Sequence, residues 1–270
     1  MKKIYLNLKR FDIPRELGGI NDMGASPVWA KSIVSTTETF RNLDCTVFFP
    51  EAHIFPALEA AKKTKIGCQS VHFEDVERGR NFGAFTTFRT AKAMQALGVK
   101  AAIIGHCEER KGLQALLDLG GSQGDVNEIL NRKIKKAVEA GLEVLYCVGE
   151  KSEEQERRFE VLRRQLEFGL KDVDLTRITV AYEPVWAIGV GKTPPGREYI
   201  SEIAAFIKRI FPVPVVYGGG LKEENAAMIA SIPDLDGGLI ALTRFGADFG
   251  FYIDDYRRIV QTYKEAINEN

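Results

Sequence analysis

The sequence has no surplus charge of either sign: 37 lysine and arginine residues face 37 aspartate and glutamate residues, and the isoelectric point lies near 6.9. A protein that neutralises nucleic-acid phosphates needs a basic excess. The balance therefore argues against nucleic acid as a partner, while leaving room for a small basic pocket. No run of about 18 apolar residues occurs, so no membrane-spanning helix and no membrane partner are expected. The opening residues Met1–Arg10 are broken by charge too early for a secretory leader. Cysteine is scarce, and Cys45, Cys68, Cys107 and Cys147 form neither a CxxC pair nor a disulfide framework. Reduced, mostly buried thiols and a cytoplasmic setting are the expectation. No Gly/Ser-rich or Pro-rich linker divides the chain, so residues 1–270 read as one domain.

What is present is an alternation. Short apolar runs suited to strands cover Ile4–Leu8, Cys45–Phe49, Ile66–Gln69, Ala101–Gly105, Val144–Val148, Ile178–Tyr182, Val213–Tyr217 and Gly238–Leu242. Helical periodicity occupies Val28–Phe40, Ala57–Lys62, Gly124–Ala140, Ser152–Leu170, Glu198–Phe211 and Glu223–Ile229, with Asp248–Asn268 as a closing helix. Strands that alternate with helices favour a parallel sheet. A doubly wound sheet and a closed α/β barrel both satisfy the pattern. Eight strands in a chain of this length favour the (β/α)8 barrel, whose chemistry sits just after the strand ends.

That placement singles out a few residues. Asn7 and Lys9 lie two apart and share one side of the first strand, where an amide and a cation need an oxygen-rich partner. His106 follows the fourth strand directly, and an imidazole can donate or accept a proton near neutral pH. Helix N–H groups beginning beyond it would disfavour its cationic form. His53 and His72 have no comparable setting and read as structural or surface residues. Glu183 ends an apolar strand, and Pro184–Val185–Trp186 running into Gly189 and Gly191 suits a lid. Gly191–Lys192–Thr193 evokes a Walker A loop, but Trp186 stands where that motif requires glycine. Gly218–Gly219–Gly220 after the seventh strand allows backbone amides to approach an oxyanion.

Together these segments resemble the triosephosphate isomerase family across almost the whole chain. Ala181–Gly189 (Ala-Tyr-Glu-Pro-Val-Trp-Ala-Ile-Gly) and Ile104–Glu108 (Ile-Gly-His-Cys-Glu) carry most of the resemblance. Asn7–Lys9, Gly83–Thr86, Cys147–Glu150 and Tyr217–Gly219 follow in the family's order. The resemblance implies an eight-stranded parallel TIM barrel that interconverts dihydroxyacetone phosphate and glyceraldehyde 3-phosphate through an enediolate. Glu183 would be the base, His106 the electrophile and Lys9 the stabilising cation. Asn7, Gly189, Gly220, Ala241 and Leu242 would contact substrate, with Glu108 a supporting carboxylate. No metal and no cofactor are implied; the partners would be a small phosphorylated sugar and a second subunit.

Departures from the family gather around phosphate. The usual serine after Tyr-Gly-Gly is Gly220, and Pro194 lacks the lid N–H that the tyrosine hydroxyl would meet. Ala241 and Leu242 replace a Gly-Gly pair that precedes a short phosphate-facing helix, and Arg244 follows as a possible anion contact or an internally paired residue. At the dimer loop, Thr87–Phe88 replace Gly-Glu and Glu109 replaces that glutamate's arginine partner, so a homodimer with an altered third-loop interface is expected. These changes leave two alternatives: isomerisation of another small sugar phosphate such as a tetrulose phosphate, or a non-catalytic barrel that binds an anion.

Overall fold

A computed structural model describes residues 1–189, 191–246 and 248–268. Eight parallel strands pair in chain order: β1 (Lys3–Asn7), β2 (Asp44–Phe49), β3 (Lys65–Gln69), β4 (Ala101–Ile104), β5 (Glu143–Val148), β6 (Ile178–Tyr182), β7 (Val215–Tyr217) and β8 (Gly237–Ile240). Lys3 pairs with Gly237 and Leu6 with Ile240, so β8 returns to β1. The sheet is a closed barrel and the doubly wound alternative is excluded.

Strands covered on both faces are apolar almost without interruption. One set of alternate residues, including Tyr5, Phe48, Ile103, Leu145, Val216 and Leu239, fills the barrel interior. The other set packs outward against the helices. Gly67 on β3 makes room for this filling, because a Cβ there would lie 2.4 Å from the Phe48 ring. Tyr5 stacks on the same ring at 5.9 Å. The interior is thus a packed floor beneath the strand ends rather than a channel.

Helices α1 (Pro27–Thr37), α2 (Glu51–Ala60), α3 (Ala91–Leu97), α4 (Cys107–Leu119), α5 (Val126–Glu139), α6 (Arg158–Gly169), α7 (Arg197–Ile210), α8 (Glu223–Ala230) and α9 (Ile253–Asn268) surround the strands. Several boundaries differ from the expectation. Helix α2 starts at Glu51 rather than Ala57 and runs through Pro56; burial of His53, Ile54 and Ala57 holds it across the proline. Helix α3 buries only Ala91 and α4 buries no residue fully, so neither shows a core-facing stripe in the sequence. The region Ser152–Leu170 splits into a 3-10 turn at Ser152–Arg157 followed by α6.

The closing helix begins at Ile253, not Asp248. Before it, Arg244 and Gly250 form an antiparallel bridge, and Thr243 N donates to Gly250 O at 3.0 Å. Among the described residues no helix lies between Leu242 and α9. The described residues after β8 thus pass through a bridged turn rather than a helix. No helix among the described residues is long and apolar enough to cross a membrane.

Candidate active site

The residues singled out from the sequence meet at the C-terminal end of the barrel. Asn7, Lys9, His106, Glu108, Glu183, Gly189, Gly220, Ala241 and Leu242 all line one cavity of about 290 Å³. Asn7 ends β1, His106 follows β4, Glu183 follows β6, and Gly218–Gly220 and Ala241–Leu242 follow β7 and β8. The closed barrel alone brings these distant segments together.

His106 is the residue at which the chain turns into α4. Its Nδ1 accepts the backbone N–H of Glu108 at 3.3 Å, satisfying one of the donors that every helix leaves free at its start. An Nδ1 used as an acceptor leaves the ring proton on Nε2. Nε2 lies 3.3 Å from Glu183 Oε1.

Glu183 is only 2% exposed. Its Oε2 accepts the backbone N–H of Cys107, the first residue of α4, at 3.0 Å. Its Oε1 is buried and accepts no well-aligned hydrogen bond despite its closeness to His106. One carboxylate oxygen is thus anchored and the other is left available. Such a buried, unpaired oxygen is costly in a purely structural residue.

Lys9 adopts a left-handed backbone with φ 42°, an uncommon conformation for a residue with a side chain. Asn7 holds it there: its Oδ1 accepts the Lys9 N–H at 3.0 Å, and Gln69 Nε2 donates to Lys9 O at 2.8 Å. The Lys9 ammonium pairs with Glu108 Oε1 at 2.7 Å. Partial desolvation at the cavity edge opposes ionisation of Glu108. The Lys9 charge and hydrogen bond outweigh it, with His106 adding to them, so the carboxyl titrates below its ordinary range. Glu108 lines the cavity itself and pairs directly with Lys9.

The lid is anchored by a residue whose part the sequence did not reveal. Glu150, just past β5, is fully buried. Its Oε1 accepts from Tyr182 Oη at 2.9 Å, Trp186 Nε1 at 2.7 Å and Tyr199 Oη at 3.0 Å. It therefore ties β6 and α7 to the first turn of the lid, Val185–Ala187. A carboxylate at the end of a strand so apolar was the available signal. Gln69, Lys222 and Phe245 were also missed; Lys222 and Phe245 line the cavity, and none belongs to a segment carrying the family resemblance.

The phosphate end carries the expected changes. The Tyr217 hydroxyl donates to Gly219 O at 3.1 Å, within its own loop, and so is engaged away from the lid. Gly219 has no space for a side chain, since a Cβ would lie 2.3 Å from Tyr217 Oη. At Gly220 a Cβ would meet only ordinary contacts, but the backbone has φ 91°. Arg244 is paired with Asp255, Nε to Oδ2 at 2.6 Å, which removes it as an anion contact. The Walker-like Gly191–Lys192–Thr193 lies in the lid, between the 3-10 turn and α7.

The four cysteines are free, and all but Cys107 are buried. Among the described residues, one group of metal-ligating types comes together: ligand atoms of His106, Cys107 and Glu183 lie within 4.8 Å of one another. Burial, with the Glu183 carboxylate adding to it, pushes the Cys107 thiol up to about 12. A cation there would have to displace the thiol proton and occupy the two side chains facing the cavity.

With this geometry in place, similarity to known proteins is specific. The triosephosphate isomerase family model matches residues 22–253. The chain belongs to the triosephosphate isomerase family. Relatives bearing that name include one from Geobacter metallireducens, 36% identical over 220 residues that cover 75% of this chain and 83% of the relative. Another, from Carboxydothermus hydrogenoformans, is 32% identical over 259 residues, covering 89% and 93% respectively. The crystal structure of triosephosphate isomerase from Bartonella henselae superposes with a TM-score of 0.73 at 26% identity, covering 97% of this chain and 99% of that one. As a member of this family the protein is an isomerase, interconverting dihydroxyacetone phosphate and glyceraldehyde 3-phosphate, a step of glycolysis.

Proposed function

We propose that Glu183 is the base of this isomerase and His106 its electrophile. The observation that carries this is the buried Glu183 Oε1, unpaired and 3.3 Å from His106 Nε2 in a cavity that also holds Lys9. Glu183 takes the proton from the hydroxymethyl carbon of dihydroxyacetone phosphate. His106 donates from Nε2 to the carbonyl oxygen, and the Lys9 ammonium stabilises the negative charge of the enediolate. Glu183 then returns the proton to the neighbouring carbon, and His106 shuttles the proton between the two oxygens. Atoms and charge balance without an oxidant or a metal. Asn7 fixes Lys9, Glu108 holds its ammonium at the cavity edge, and Gly189, Gly220, Ala241 and Leu242 face the substrate's phosphate end.

The test is solvent-deuterium incorporation into dihydroxyacetone phosphate followed by NMR, with Glu183→Gln as control. Exchange and isomerisation in the parent, lost in the variant, is the expected result. No exchange in the parent would overturn the triose reading and direct the search to a tetrulose phosphate or to anion binding without chemistry.

We also propose that residues 1–270 act as one unit, in the cytoplasm, as a homodimer joined through the third loop. Four free thiols support the reducing compartment. Phe82 and Phe88 on the third loop are 85% and 55% exposed, apolar surface that a second copy would cover. Glu109, where the family has an interface arginine, is satisfied within its own chain by Gly105 N at 2.7 Å and Lys133 Nζ at 2.6 Å. The interface is therefore built from aromatic contacts rather than from the family's ion pair.

A further inference from the structure

The active-site cavity holds a second cation besides Lys9. Lys222, which precedes α8, lines it together with Phe245, Gly220, Ala241 and Leu242. Its Nζ sits 3.8 Å from the centre of the Phe245 ring. The pair lies beside Gly220: the nearest atoms to a Cβ built there would be Lys222 Cε at 3.8 Å and Phe245 Cζ at 3.9 Å.

Among the described residues, the Lys222 ammonium has no carboxylate partner. Glu223 is committed to Arg258 at 3.0 Å and Arg244 to Asp255, and Glu224, which shares a neighbouring cleft with Lys222, forms no ion pair with it among the described residues. An aromatic face holds a cation without neutralising it. The half-buried Lys222 therefore stands at the cavity wall without a carboxylate to neutralise it, at the end lined by Ala241 and Leu242.

We propose that Lys222 is a side-chain ligand for the phosphate of the substrate, held beside the Gly220 amide by Phe245. The inference rests on the isomerase reading and adds to it a residue that sets substrate class. Lysine binds phosphate as a point charge and needs no fixed fork geometry, so it tolerates an altered loop. The phosphate carries its charge equally in substrate and transition state. The contribution of Lys222 therefore falls on KM and leaves kcat nearly unaffected.

The experiment compares the full-length parent with Lys222→Met, Lys222→Arg and Phe245→Leu, each checked for folding by circular dichroism. Lys222→Met should raise KM for glyceraldehyde 3-phosphate about tenfold, with kcat within about threefold, and raise the inhibition constant of inorganic phosphate in parallel. Lys222→Arg should recover most of the affinity, and Phe245→Leu should fall between. The loss should be confined to phosphorylated substrate, sparing kcat/KM for glyceraldehyde. Unchanged KM and unchanged phosphate inhibition in Lys222→Met would overturn the proposal, as would an equal loss towards glyceraldehyde. A parent without isomerase activity would overturn the reaction alone; calorimetric titration of parent and Lys222→Met with inorganic phosphate would still decide the role of Lys222.

Discussion

Two backbone N–H groups at the start of α4 hold the two side chains proposed to carry the chemistry: that of Cys107 grips Glu183, and that of Glu108 grips the His106 ring. The proposed base and electrophile are thus oriented by one rigid element, a form of pre-organisation that side-chain supports would provide less firmly. Glu183→Gln keeps the shape and removes the base. Turnover should fall by roughly two to four orders of magnitude, and steady-state kinetics showing equal turnover would end the proposed role. At Gly220 the structure reverses a simple idea of repair. Restoring the family's serine meets φ 91° and should destabilise the protein by about 1–2 kcal/mol. Urea denaturation of Gly220→Ser checks this, and unchanged stability would show that the loop relaxes. At this scale the sequence was informative where chemistry demands a residue type. Lys9, His106 and Glu183 stand out because ionisable groups at the ends of apolar strands need a reason. Gln69 is uncharged and gives no such signal, and Glu150 carries the signal but its partners Tyr182, Trp186 and Tyr199 lie too far along the chain to reveal what it holds.

Elements were legible in proportion to the core they cover. The eight strands follow from buried apolar runs, and α5 and α7 from strong stripes that bury Leu130, Ile134, Ile203 and Ile207. Helix α4 fully buries nothing, and α2 carries Pro56 inside it, a residue that reads as a helix breaker, so neither could be delimited from periodicity. Helix α2 also carries a pH-sensitive tie at its first residue. Burial works against the Glu51 carboxylate, but its own backbone N–H, Arg89 and Arg10 outweigh that and hold the carboxyl down at about 2. A depressed carboxyl contributes stability above its ordinary value of 4.5 that is lost as pH falls towards 2. The stability gap between the parent and Glu51→Gln should therefore close across that window, as followed by acid denaturation; a constant gap would show that the ion pairs contribute nothing. The eighth loop makes a separate prediction. Leu242→Gly removes a side chain from the phosphate end and should lower KM for glyceraldehyde 3-phosphate; an unchanged or higher KM in a folded variant would assign the crowding elsewhere.

The whole molecule places one cavity over a packed barrel floor and leaves aromatic surface on the third loop. Phe88 stacks on His72 with ring centres 4.1 Å apart, so it is presented on a fixed support rather than loosely. Phe88→Asp should shift the protein towards monomer in sedimentation velocity, while a dimer that survives the change would place the interface away from this loop. Assembly was the least legible level, because a partner's contribution leaves no periodicity in the sequence of either copy.

Tyr217, whose hydroxyl is occupied by Gly219, has a counterpart in Pro194, which offers no N–H to it. A cover without these fasteners should open sooner, so a larger share of the intermediate is expected to escape to water before it becomes aldehyde. The escaping species expels its phosphate and becomes a reactive three-carbon dicarbonyl. The altered loop is thus expected to tell on fidelity rather than speed, and the yield of that dicarbonyl per turnover measures it directly; a yield no higher than that of a lid with both fasteners would refute it.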